Sequence, residues 1–438
     1  MISALTANQL RVLAITALAL GAMSNRPLLA GTSIAIGLGL YALGAARSRT
    51  REDQSTRWAG ACLLVLVLAE MTIQTLGPSS EGEQRVQFLR LVLLTTAGAL
   101  AFAAGGRRWI RLVAVLTVAV AFVVTTASVA VHEWQSEFGV DVYLMHLAAG
   151  DALVGGENPY TDAVKVPNGS PFAPEDAVIE GYPYPPVVLA TYGGASAIID
   201  PRVVSLIAMV VVLAWFGVHA LKRVPESDVA SAMFLLVAGS AVWPVVFFVS
   251  WTEPLSLALL VLAFATWRRP FLSGAILGLA LASKQYFVFL GPFVLFLPGR
   301  SRPIRTAATV LATTCTVVIG LIPDSGAFVA ATFGNLADIG FRPDSQSLSG
   351  VLAEFDLRFL LPSPAWIGIG LVGAYLIARR TSHLADMVAR FALVLGCVFF
   401  VGQAFPNYWF LVLSLAGAAT VVSSRQDQVE RESAMAIA

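Results

Sequence analysis

The chain has 438 residues, of which 57% are hydrophobic and only 13% charged, with a formal net charge of +1. An ordinary soluble domain is roughly 25% charged, so this composition excludes a soluble globular protein and makes lipid the expected solvent. The near-zero net charge also gives no bulk attraction to nucleic acid.

Apolar runs of about 15–22 residues recur along the chain, close to the roughly 20 that a helix needs to cross the hydrocarbon core. Helices satisfy their own backbone hydrogen bonds, as lipid requires. The expected fold is therefore all-α and polytopic, with about fourteen transmembrane helices. In chain order they fall near 10–24, 27–46, 57–76, 87–104, 109–131, 203–221, 229–250, 254–267, 271–283, 286–298, 303–322, 361–378, 386–402 and 406–423. The first apolar stretch lacks a small-residue cleavage site and is followed at once by a second span, so no cleavable signal peptide is expected. Cys62, Cys315 and Cys397 all lie inside apolar runs and read as buried small residues, not as disulfide partners or metal ligands. Residues 1–105 form a four-helix extension with no evident chemistry, where Glu70 reads as an acid snorkelling to the interface. A larger membrane domain follows over 106–424, then a short tail over 425–438.

Orientation follows from the basic turns, because Lys and Arg stay cytoplasmic. They are Arg47/Arg49/Arg51, Arg107/Arg108/Arg111, Lys222/Arg223, Arg268/Arg269, Arg300/Arg302/Arg305 and Arg379/Arg380. Placing all six inside puts both termini in the cytoplasm and two long loops, 132–183 and 323–360, outside. The first loop sets nine carboxylates, from Glu133 to Glu180, against the single Lys165, and the second carries five acids and two arginines. Long ordered loops are usually functional. The apolar stretch 184–200 would invert every later turn if it crossed. It is therefore expected to dip into the outer leaflet as a short helix broken by Pro185, Pro186, Gly193 and Gly194. Residues 271–298 must go out and return, which sets the turn at Ser283-Lys284-Gln285 and puts Lys284 at the outer face.

The polar residues of that face gather in motifs. FGVDVYLMHLAAGDALVGGENPYTD (138–162) reads as a surface helix opening at Asp141, with Val142, Met145, Ala149 and Leu153 at helical spacing. It stops at Gly155-Gly156 before the turn at Asn158-Pro159-Tyr160. GYPYPP (181–186), SWTEPL (250–255), ASKQY (282–286), FRPDSQSLSG (341–350) and GQAFPNYWF (402–410) follow. A carboxylate can take a proton from a hydroxyl nucleophile, and Lys and Arg can hold a phosphate leaving group. Aromatic faces suit sugar rings. The same residues also fit solvated loop acids and an interfacial aromatic belt. The candidate substrate contacts are Tyr143, His146, Asn158, Tyr160, Tyr182, Tyr184, Glu253, Gln285, Gln346, Asn407 and Tyr408, with Lys284 and Arg342 on the donor phosphate.

Taken in this order, these motifs resemble the GT-C superfamily of membrane glycosyltransferases. They are most similar to the polyprenyl-phosphate-mannose-dependent group, family 87, and its actinobacterial relatives. The resemblance covers the chain from about residue 109 onward and leaves the first four spans unexplained. It implies a large first outside loop with a catalytic acid, followed by a shallow outer-face helix. It also implies inverting transfer of a sugar, mannose or another hexose or pentose, from a polyprenyl phosphate to a lipid or glycan acceptor at the outer face of the cell membrane. The position matching the general base is Asp141, with Asp151 as its rival. The family commonly has a His before the Tyr of the last motif, where this chain has Asn407 before Tyr408. No DxD pair stands at Asp141, so no metal and no cofactor are expected. The alternative is a transporter of lipid-linked sugar or a small solute. That would need ionisable groups near the midplane and an internal repeat, whereas the polar residues here cluster at one face. A third reading is a non-catalytic assembly subunit.

Overall fold

The computed structural model describes residues 108–133, 141–167, 178–221, 242–334, 383–401 and most of 405–422, with single positions between 345 and 352. The first four expected spans, the span at 361–378, Arg342, Gln346 and the tail lie outside the described residues. The described part is mostly helical. Its helices α1 (Arg108–Glu133), α4 (Arg202–Ala220), α6 (Glu253–Ala265), α7 (Pro270–Leu281), α8 (Arg302–Leu321) and α10 (Leu384–Val401) coincide with expected spans, as does a last helix over Asn407–Ala419. Helix α5 (Val242–Val249) falls at the end of the span expected over 229–250, whose residues before 242 lie outside the described residues. Between them lie α2 (Asp141–Gly155), the hairpin β1 (Lys165–Pro167) and β2 (Val178–Glu180), α3 (186–196) and α9 (Ser325–Val329). By length and composition, α4 and α8 are long and apolar enough to cross a membrane. Their large apolar side chains, Ile207, Val210, Val310, Leu311 and Ile319 among them, face outward at half exposure or more, as side chains do when lipid is the solvent.

The chain divides into two compact units, one of 1–131, 213–244 and 343–438 and the other of 132–212 and 245–342. In the first, Trp243 is fully buried, stacks on Phe122 at 5.2 Å and donates from its indole nitrogen to Thr126 Oγ1 at 3.0 Å.

The second unit has a core of Met145, Ala149 and Ala152 from α2, Tyr160, Val164, Val166, Tyr182, Val188 and Tyr192, closed by Phe328 and Ala331. Of the expected apolar stripe on α2, Val142, Met145 and Ala149 are buried and Leu153 is exposed. Helix α3 runs as Pro186–Val188, a π-turn over Leu189–Gly193 and Gly194–Ser196. It is the short irregular helix that its prolines and glycines lead one to expect. It lies directly against α2, because a Cβ on Gly150 would collide with Ser196. The Ser196 hydroxyl donates to the carbonyl of His146 at 2.6 Å. Antiparallel pairing of Lys165 with Glu180 closes the small hairpin.

Helices α6, α7 and α8 of the same unit pack in sequence, α6 on α7 and α7 on α8. Gly274 and Gly278, four apart, bring α7 against α8: a Cβ at either would meet the carbonyl of Arg305 or Thr309 and the methyl of Ala308 or Ala312. Close approach through small residues is the usual packing of helices in lipid. Gly278→Leu is expected to cost several kcal/mol through overpacking, read as a fall in melting temperature of the detergent-solubilised protein. An unchanged melt would mean that the two helices do not rely on this contact.

The segment expected as a short α-helix over 286–298 is a 3-10 helix, Gln285–Phe296. Pro292 in its interior has no N–H and crowds the preceding turn, which disfavours α geometry. At about 2 Å per residue the tighter winding stretches twelve residues over roughly 24 Å, further than an α-helix of that length.

Candidate active site

Three segments remote in sequence meet at one end of the α6–α7 pair. Helix α5 ends in a Schellman turn: Trp251 N donates to Val246 O at 3.1 Å and Ser250 N to Phe247 O at 3.2 Å. Ser250 occupies the left-handed position at φ 57°, where glycine is usual and a side chain costs about 1 kcal/mol. The turn reverses the chain into α6, whose first residue is Glu253, and aims the Ser250 carbonyl at His146. That carbonyl can only accept, so His146 Nε2 carries the proton and donates to it at 3.1 Å. Nδ1 accepts from the Tyr182 hydroxyl at 2.8 Å.

His146 is fully buried. Its ring stacks on Tyr192 at 4.6 Å and lies 5.7 Å from Tyr184. Burial pushes its pKa down to about 3; the Ser250 carbonyl opposes this and the Lys284 charge adds to it. Burial likewise raises the Tyr160, Tyr182 and Tyr192 hydroxyls above their ordinary range, so they remain protonated donors at neutral pH. Because His146 is neutral in the fold and takes up a proton more readily once unfolded, its contribution to stability is complete above about pH 6.5. It declines as pH falls toward 3. His146→Gln is expected to flatten the loss of melting temperature between pH 6.5 and 4, and an unaltered slope would assign the acid sensitivity to other groups.

Lys284 follows the turn after α7. Its ammonium lies 2.9 Å from Glu253 Oε1 with both side chains buried. It also sits 4.7 Å over the Tyr184 ring and 5.7 Å from the Tyr286 ring. Tyr286 donates from its hydroxyl to the same Glu253 oxygen at 3.2 Å. Gln285 Nε2 donates to the carbonyl of Pro183, tying the turn to the YPYPP motif. The Ser256 and Ser283 hydroxyls meet at 2.8 Å behind it. Glu253 Oε2, Ser250 Oγ and Thr252 Oγ1 are buried and have no hydrogen-bond partner among the described residues. A buried polar atom left so costs about 1–3 kcal/mol. Three within four residues, beside a strained serine, mark a place with polar capacity to spare.

Of the residues expected at the site, His146, Tyr182, Tyr184, Glu253, Lys284 and Gln285 converge here, with Tyr160 behind them donating to the Tyr184 carbonyl at 3.2 Å. Lys284 occupies the expected turn, buried against Glu253. Asn158 caps its own turn, its Oδ1 accepting from Tyr160 N at 3.2 Å. Tyr143 belongs to a neighbouring set: its hydroxyl donates to Asp200 Oδ2 at 3.1 Å and the Arg202 guanidinium lies 4.3 Å over its ring. Asp141 opens α2, half-buried, with Oδ1 accepting from Val142 N at 2.8 Å. It stands five residues, about 7.5 Å of helical rise, ahead of His146. Asp151 is exposed. Asn407 and Tyr408 belong to the other compact unit. There Asn407 is buried with its Oδ1 unpartnered among the described residues, and Tyr408 stacks on Phe399 at 4.8 Å.

The residues that reasoning from the sequence did not single out are Tyr192, Tyr286, Ser250 and the Asp200–Arg202 pair. Tyr286 stands within ASKQY and Ser250 within SWTEPL. Tyr192 sits in an apolar run that gives no sign of stacking on a histidine.

The arrangement is that of a helical protein with a buried ion pair and a tyrosine-rich wall, without any group of three or more potential metal ligands among the described residues. The model of glycosyltransferase family 87 matches residues 182–434, more than half of the chain. The chain belongs to that family, and is a glycosyltransferase. The match opens at Tyr182, so α2 with Asp141 lies ahead of it. Neither the curated proteins nor the solved structures give a match.

Proposed function

We propose that the protein is a multi-pass enzyme of the cell membrane that moves a sugar, mannose or a related hexose or pentose, from a polyprenyl phosphate to a lipid or glycan acceptor at the outer face. The reaction breaks the anomeric carbon–phosphate oxygen bond and forms a new glycosidic bond with inversion. The leaving group is the polyprenyl phosphate, and the acceptor hydroxyl gives up its proton. Asp141 takes that proton, and Lys284 with Arg342 holds the phosphate as its negative charge grows. The tyrosine wall and the unpartnered oxygens of Ser250, Thr252 and Glu253 receive the hydroxyls of the sugar. Residues 106–424 act as the catalytic membrane domain, with 1–105 as an extension and 425–438 as a cytoplasmic tail.

The observation that best supports this reading is the meeting of Lys284 with Glu253, Tyr184 and Tyr286 at one end of the α6–α7 pair. A cation, a carboxylate and aromatic faces side by side are what a phosphorylated sugar needs. The test is an assay in sealed right-side-out vesicles with polyprenyl-phosphate mannose in the bilayer and a membrane-impermeant acceptor outside. Release of polyprenyl phosphate together with a mannosylated acceptor is expected. Movement of intact donor across the bilayer, with no bond broken, would instead identify a transporter.

A further inference from the structure

Between Glu253 and Asp324 the sequence contains no carboxylate, yet it carries Arg268, Arg269, Lys284, Arg300, Arg302 and Arg305. Lys284 is at the site. The five arginines are at the far end of the same helices, roughly 20 Å away along the 13 residues of α6.

Arg305 gathers that end. It is buried, stacks 3.7 Å over the Trp267 ring, and donates to Ser273 Oγ at 3.0 Å, Pro298 O at 3.0 Å and Trp267 O at 2.8 Å. A single guanidinium thus bonds both the α6–α7 turn and the loop ahead of α8, and draws Arg268 and Arg269 toward Arg300 and Arg302. These four are exposed and form no ion pair among the described residues. From Arg302 a groove of about 730 Å³ runs along α8 beside the 3-10 helix, lined by Leu295, Thr306, Val310, Leu311 and Thr314. Arg302, Thr306, Val310 and Thr314 recur every fourth residue, so the groove follows the helix for about 18 Å. Leu295, Val310 and Leu311 are at least half exposed in it.

We infer that this groove is the seat of an anionic phospholipid, with the phosphate on Arg302, which lines it, Arg300 two residues ahead adding positive charge, and an acyl chain along Leu295, Val310 and Leu311. An apolar trough with uncompensated arginines at one mouth matches an amphiphile with an anionic head, and basic pockets between membrane helices bind such lipids. A neutral head would leave the arginines unmatched. The inference rests on the membrane placement of the chain and not on its donor or acceptor, and its test needs no sugar transfer.

The full-length protein, purified in detergent, is offered equimolar dioleoyl phosphatidylglycerol and dioleoyl phosphatidylcholine, and the retained lipid is quantified by mass spectrometry. Phosphatidylglycerol is expected in excess. Arg302→Gln should lower that excess roughly fivefold, the usual weight of one arginine at an anionic surface, and Arg302→Lys should keep most of it. Ala307 also lines the groove, and Ala307→Trp, which fills it, should reduce retention of both lipids. Arg268→Gln/Arg269→Gln, away from the groove, should matter less than Arg302→Gln. The proposal fails if the parent shows no preference, or if Arg302→Gln melts like the parent and retains the same lipid. It also fails if Ala307→Trp changes nothing, or if the Arg268/Arg269 variant has an equal effect, which would indicate diffuse attraction instead of a seat.

Discussion

Asp141→Asn is expected to abolish sugar transfer while leaving expression and donor binding intact. The substitution keeps the size of the side chain and its place as first residue of α2, where Oδ1 accepts from Val142 N. What it removes, on the proposed mechanism, is the base that takes a proton from the acceptor hydroxyl. Losing a positioned general base costs about 10²–10⁴-fold in rate. The start of α2 is suited to the role, because a helix N-terminus favours negative charge and the residue is only half-buried, open to an acceptor arriving from water. Asp151, ten residues on and about 15 Å further along the helix, is too distant to share one reacting centre. It is exposed, and Asp151→Asn is expected to be mild. Near-normal transfer by Asp141→Asn together with a dead Asp151→Asn would reverse the assignment.

Lys284→Ala is expected to have two large effects. Removing the ammonium leaves the Glu253 carboxylate buried without its cation, and breaking a buried ion pair from one side typically costs about 3–5 kcal/mol of stability. If Lys284 also carries the donor phosphate, transfer falls by roughly a hundredfold or more as stabilisation of the leaving charge is lost. A combined Lys284→Met/Glu253→Gln variant separates the two. It removes both charges at nearly constant volume, so the melting temperature should recover most of the way toward the parent while transfer stays lost. Lys284→Arg should fold and retain part of the activity. If the double variant regains both stability and transfer, Lys284 only neutralises Glu253 and the phosphate is bound elsewhere.

Much of this protein is legible in its sequence because lipid imposes a simple rule. Backbone polar groups have no water partner inside the bilayer, so apolar runs become helices, and six expected spans of the described region coincide with helices from α1 to α10. The short irregular helix after YPYPP and the turn at Lys284 likewise follow from local chemistry: proline without an N–H, and charge between apolar runs. The 3-10 winding of Gln285–Phe296 was not legible: an ordinary span is expected there, and Pro292 disfavours α geometry. Partnership was not legible. Glu253 and Lys284 are separated by a hairpin, and only the antiparallel packing of α6 on α7 makes them an ion pair. Nothing in WTEPL or ASKQY states that the lysine is buried, because burial depends on Tyr184 arriving from a third segment. His146 reads as a surface-helix histidine, and is instead locked neutral by a carbonyl that Ser250 presents from a left-handed turn a hundred residues later. Arg305 reads as one more cytoplasmic arginine, yet it is the clamp that gathers the others. Helix formation is decided within a few residues and is written locally. The pairing of buried charges is decided by contacts between distant segments, and tertiary structure alone supplies it.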